Sequence, residues 1–170
     1  MTGKLLGAAL IVAGCGGFGF SMAAFYRREV QGLRQIIAAL NIMECELQYR
    51  HTPLPELCRC VAREVDKPIG TVFRHLTQEL EQQLRPDASA CMHAALHIGP
   101  ELPKGLRDIM EEFGNTLGRY DLPGQLKGLE ALRQLCQERL NTWTENSRQR
   151  IRSYQTLGIC AGIALAILMI

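Results

Sequence analysis

The 170-residue chain has no stretch in which apolar and polar residues alternate long enough to make a half-buried strand. It also lacks a glycine-rich phosphate loop, a zincin signature and a Gly-x-Ser-x-Gly elbow, the sequence marks of nucleotide, metalloprotease and acyl-transfer chemistry. Excess positive charge is missing where a nucleic acid would need it. With Lys4 and the arginines at 27, 28, 148, 150 and 152 set aside, 13 basic residues face 17 acidic ones. That balance argues against nucleic acid as a partner. The expectation is a protein that is not an enzyme and carries no cofactor.

Each end of the chain carries a long run without charge. Residues 5–26 (LLGAALIVAGCGGFGFSMAAFY) hold 22 positions without a formal charge, between Lys4 and Arg27-Arg28. As a helix they would cover roughly 33 Å, enough for a hydrocarbon core of about 30 Å. A lone segment in lipid must be helical to satisfy its own backbone, so an N-terminal transmembrane helix is expected. Two other readings fit the run. One is a cleaved signal peptide ending near Ser21-Met22-Ala23. The other is a lipoprotein with Cys15 as lipid acceptor behind Val12-Ala13-Gly14. It would place a helical binding domain outside the cell. The run continues past Cys15 through Phe25 and meets two arginines, which favours the anchor. Residues 157–170 (LGICAGIALAILMI) add 14 uncharged positions. They are expected to form a second membrane segment of about 21 Å, longer if 153–156 sit at the interface.

Topology follows from the flanking charges. Arg27, Arg28 and Arg34 follow the first run, and Arg148, Arg150 and Arg152 precede the second. The positive-inside rule then places 27–156 in the cytoplasm as one domain, with both termini across the membrane. Tyr26 and Tyr154 stand at matching boundaries, where amphipathic rings prefer to lie. The arginines suit anionic lipid headgroups, making membrane lipid an expected partner. Ala9, Ala13, Gly17 and Ser21 recur every four residues, as do Gly158, Gly162 and Ala166. Such stripes let helices approach closely, with each other or between copies of the chain, so a homo-oligomer is one expectation.

Between the ends the pattern is helical throughout, and the fold class is all-α: a cytoplasmic bundle of about six helices. The two outer ones are long and continue into the terminal segments. Leu33, Ile36, Leu40, Met43 and Leu47 make one apolar seam, carrying the first rod to about Arg50. His51-Thr52-Pro53 ends it, with Thr52 expected as N-cap and Pro53 as first residue of the next helix. That helix carries Leu57, Val61 and Val65. After Asp66-Lys67-Pro68 a third carries Ile69, Val72, Phe73, Leu76, Leu80 and Leu84, and Arg85-Pro86-Asp87 breaks it. The fourth runs from Ala88 to about Ile98 and is stopped by Gly99-Pro100. The fifth holds Leu106, Ile109, Met110, Phe113 and Leu117 and closes at Gly118. Asp121 is placed to N-cap the last helix, which continues from Leu122 to the end.

Few residues suggest a chemical site. Glu44 and Glu46 point roughly 160° apart on a helix, so they do not make a carboxylate pair. His93 and His97 share a face at i, i+4, but no third metal ligand stands near them in the pattern. Cys58 and Cys60 diverge likewise. The cytoplasm would keep Cys45, Cys58, Cys60, Cys91 and Cys136 reduced, as small apolar fillers, while Cys15 and Cys160 fall in the spans.

Several segments carry a resemblance along nearly the whole chain: Leu33, Leu40 and Glu44-Cys45-Glu46-Leu47; Tyr49 and Thr52-Pro53-Leu54-Pro55-Glu56; Leu117-Gly118, Asp121 and Gln125; and Tyr154, Leu157-Gly158 and Gly162. With an anchor before them and an apolar end after them, they resemble the stage III sporulation protein AB family of endospore-forming bacteria. Leu122-Pro123-Gly124 departs from that pattern, where more ordinary helix formers are expected. The resemblance implies a helical domain related to the membrane platform proteins of type II secretion and type IV pilus systems. It also implies a place in the channel complex of the mother-cell membrane around the forespore, beside a secretion-type ATPase and other channel subunits. Antiparallel rods rooted in one membrane would bring 51–56 and 119–125 together at the far end. Thr52, Pro53 and Asp121 have structural duties there. Glu46, Arg50, Glu56, Arg119 and Gln125 have none evident and are the expected docking residues.

Overall fold

In the computed structural model, side chains are described for residues 24–50, 52–83, 85–118 and 121–145. The two long terminal helices are followed as backbone from 2 to 50 and from 122 to 169. The seam of Leu33, Ile36, Leu40, Met43 and Leu47 is buried along its whole length, as 3-4 spacing requires of one helix stripe. It lies on α1 (Thr2–Arg50), a helix of 49 residues. Four short helices follow: α2 (Leu54–Glu64), α3 (Ile69–Gln82), α4 (Ala88–Ile98) and α5 (Lys104–Thr116). The chain closes with α6 (Leu122–Met169), 48 residues long. Among the described residues all regular structure is helical.

Consecutive short helices pack as neighbours, and α1 packs against α6. The order is therefore up and down, with the turns divided between two ends. The α2–α3 turn is tied to α1 by Gln35, whose Nε2 donates to the Lys67 carbonyl at 2.8 Å. The start of α5 also meets α1, at Glu29. These two turns sit beside the first part of α1. The α1–α2, α3–α4 and α5–α6 turns gather at the other end, about 36 Å along α1 from Tyr26 to Arg50.

The core lies between the rods and the short helices. Phe73 and Phe113 meet edge to face with centroids 5.6 Å apart. Leu57, Val61, Leu76, Met92, Leu106 and Met110 surround them in one buried cluster. Cys58, Cys91 and Cys136 are buried as fillers, and Cys45 is the exposed thiol. Burial pushes the Cys58 thiol up to about 12 and Cys136 to about 11, so both stay protonated. An impermeant thiol reagent would therefore meet Cys45, not Cys58 or Cys91.

Local chemistry sets the turns, with two corrections, to the duties expected of Thr52 and Pro53. Thr52 does not cap α2. Pro53 occupies the cap position in extended geometry (φ −58°, ψ 147°) without a side-chain bond. The Thr52 hydroxyl instead donates to Glu46 at 3.0 Å. Asp121 does cap α6, accepting from the Gly124 amide at 3.2 Å. This gives Leu122-Pro123-Gly124 an ordinary first turn despite its unusual composition. Asp87 caps α4, accepting from Ala90 at 2.7 Å. Gly118, at φ +68°, reverses the chain after α5.

Among the described residues no helix is long and apolar enough to cross a membrane. The expected segments 5–26 and 157–170 lie, except for 24–26, outside the described side chains. So do Ala13, Cys15, Gly17, Arg148, Arg150, Arg152, Tyr154, Gly158 and Gly162. His51, Leu84, Arg119 and Tyr120 lie outside the described residues as well.

Candidate functional site

At the three-turn end, a methyl group placed on Gly118 would lie 3.9 Å from Leu54. This sets the start of α2 beside the end of α5, while 51, 119 and 120 of the two turns expected to converge lie outside the described residues. A third turn joins them, because in an up-and-down chain every second connection falls at the same end. A groove of about 610 Å³ runs across the three, between Leu54, Leu80, Gln83, Pro86, Ser89 and Leu117. The part played by 83–89 was not anticipated from sequence. Counting helix reversals up to Arg85-Pro86-Asp87 would have placed it.

The expected docking residues fare differently. Glu56 is exposed on the first turn of α2, and Arg50 is exposed at the end of α1. Gln125 is half-buried on α6. Glu46 is not free of local duty: it accepts from Thr52 and pairs with Arg50 at 3.5 Å. Side chains one turn apart on a helix meet readily, so Glu46 closes the end of α1. Tyr49, beside Arg50, is 76% exposed and leaves an aromatic ring on the surface of this end.

The shaft below this end is held by the two rods. Glu44 accepts from Arg133 of α6 at 3.2 Å, both side chains being partly buried. Glu44 and Glu46 thus serve separate partners. Nearer the first run, Tyr26 packs edge-on against Trp143 at 5.2 Å. Arg27 and Arg28 are exposed beside it. His93 and His97 lie 4.6 Å apart, ring to ring, on the exposed face of α4, with Cys91 buried elsewhere. Among the described residues no group of three candidate ligands gathers to hold a metal.

One buried charge stands out. Glu29 is 4% exposed, and its carboxylate faces the first turn of α5, where helix amides carry partial positive charge. Burial holds its carboxyl above the usual range, and Arg139 pulls it back down less strongly. The unfolded chain therefore loses this proton first. The stability penalty is absent below the ordinary carboxylate range and complete above the raised one. Glu29→Gln, which has nothing to ionise, is expected to raise the melting midpoint at neutral pH, with the gain disappearing in acid. Circular dichroism melts of the full chain at both pH values check this. A variant that melts lower at neutral pH would make the carboxylate a net stabiliser of α5.

Comparison with known proteins adds to this geometry. The stage III sporulation protein AB (spore_III_AB) family model matches residues 4–170. Stage III sporulation protein AB of Bacillus subtilis (strain 168) is 29% identical over 169 residues, covering 98% of each chain. A solved structure of stage III sporulation protein AB (SpoIIIAB) aligns with a TM-score of 0.63 at 23% identity. It covers 72% of this chain and 98% of that one, which shows a shared fold.

Proposed function

We infer a function from one premise: this chain belongs to the stage III sporulation protein AB family and is sporulation-related. It acts as a non-enzymatic membrane platform, a scaffold subunit of a secretion-like sporulation channel. The basic-flanked runs 5–26 and 157–170 root α1 and α6 in the mother-cell membrane around the forespore. The domain between them hangs in the cytoplasm, and its far end docks a secretion-type ATPase and other channel subunits.

One observation carries this reading. The rods α1 and α6 are clasped along their length by Glu44–Arg133 and Tyr26–Trp143. They hold a grooved, three-turn end at a fixed reach from the end that leads to both apolar runs. A scaffold needs that arrangement. Such a surface, with Glu56 and Arg50 exposed on it, meets a partner through charge and shape rather than chemistry.

Reversing two charges there tests the docking. Full-length chain carrying Glu56→Lys with Arg119→Glu is expected to lose capture of the ATPase and to block sporulation, with helicity unchanged by circular dichroism. Glu56 is exposed and lies outside the core cluster, so its reversal should leave the fold intact. Normal capture by the folded double variant would move the docking face elsewhere.

A further inference from the structure

The end of the domain nearest the apolar runs holds a pocket of about 320 Å³ between α1, α5 and α6. Glu29 and Leu33 form one wall, Gly105 the floor, and Leu135, Arg139 and Trp143 the other wall. Among the described residues Glu29 makes neither a hydrogen bond nor an ion pair, though it is 4% exposed. The fold leaves space around it. A side chain at Gly105 would begin 3.5 Å from both carboxylate oxygens. Arg139 is exposed, acts on Glu29 through its charge alone, and forms no ion pair among the described residues.

A buried carboxylate without a partner is costly, and such costs persist where a ligand relieves them. Charge indicates the ligand. Glu29 and Glu138 set two carboxylates against the one guanidinium of Arg139, so the pocket attracts a cation. Trp143 adds an aromatic wall, whose face favours an ammonium group. Arg139 remains free for an anion. We propose that this pocket binds an amine–phosphate zwitterion, the headgroup chemistry of phosphatidylethanolamine. The ammonium sits on Glu29 and Trp143, and the phosphate on Arg139.

Placement favours lipid as the source, a point that rests on the membrane reading above. Glu29 lies three residues beyond the run that ends at Tyr26, about 4.5 Å along a helix. Phe25, 45% exposed, and Tyr26 and Trp143 cluster at the same level, as aromatic residues do at membrane interfaces.

Trp143 is the only tryptophan of the chain, so its emission reports on the pocket directly. Full-length protein in detergent is titrated with short-chain phosphatidylethanolamine, short-chain phosphatidylglycerol, phosphoethanolamine and n-butylammonium. A saturable change is expected with the ethanolamine lipid, weakened about tenfold or more by Glu29→Gln and by the exposed Arg139→Gln. Tighter binding of the lipid than of phosphoethanolamine supports a membrane source. Equal binding keeps the pocket chemistry and assigns it to a soluble zwitterion. Butylammonium binding as tightly as either would overturn the proposal in favour of a lysine-bearing partner. Unchanged titrations in both variants, or an equal response to phosphatidylglycerol, would overturn it outright. Flotation of the full chain with vesicles of any composition reads the membrane assignment separately.

Discussion

Phe113→Ala is expected to destabilise the domain by about 3–5 kcal/mol, a large share of the roughly 5–15 kcal/mol that holds a domain folded. Phe113 is 1% exposed and meets Phe73 edge to face at 5.6 Å, in the middle of the short-helix layer. Removing the ring deletes buried apolar area and the aromatic pair together. Collapse into the gap is resisted on one side by Gly114, whose backbone already lies against Met92. Even a methyl group there would approach Met92 Cβ to 2.6 Å. Urea unfolding of the full chain in detergent, followed by circular dichroism, measures the loss. The midpoint should fall with the slope unchanged. A change below about 1 kcal/mol would mean that the α3–α5 contact contributes little to stability.

The helices were legible because their faces repeat. Seams such as Leu33 to Leu47 and Ile69 to Leu76 announce themselves through spacing, and Pro and Gly mark most ends. Residues whose duty depends on a partner outside their own local pattern were not legible. Thr52 looked like a cap, yet Glu46 takes its hydroxyl once Pro53 fills the cap position. Glu44 looked like a solvated edge and clasps Arg133, 89 positions away. Glu29 passed unnoticed beside the arginines, because only the arrival of α5 at Gly105 buries it. The groove at the three-turn end was half seen: two of its turns follow from the rods, and the third from counting reversals.

Gly70→Ala is the second substitution with a large expected effect, and its sign decides between two readings. Gly70 is the second residue of α3. In an open helix position, alanine would stabilise by about 1 kcal/mol through propensity. Here the added Cβ would stand 1.9 Å from the Val65 carbonyl oxygen and 2.9 Å from its carbon. Both atoms are backbone, so no rotamer change makes room. Nor is either strand of the turn free to retreat. The Val65 amide donates to the Val61 carbonyl at 2.9 Å, and Gly70 donates to Asp66 at 2.9 Å. Gln35 fastens Lys67, between them, to α1. Relief therefore requires breaking the connection that packs α3 on α2, and the cost belongs at the upper end of overpacking, about 3 kcal/mol. For a domain of this size that lowers the melting midpoint by roughly 10 °C. Calorimetry or circular dichroism of the full chain checks it, with Gly70→Ser as a second probe of the same clash. A midpoint that stays level or rises would show that the α2–α3 turn yields, leaving the bond from Gln35 to hold it against α1.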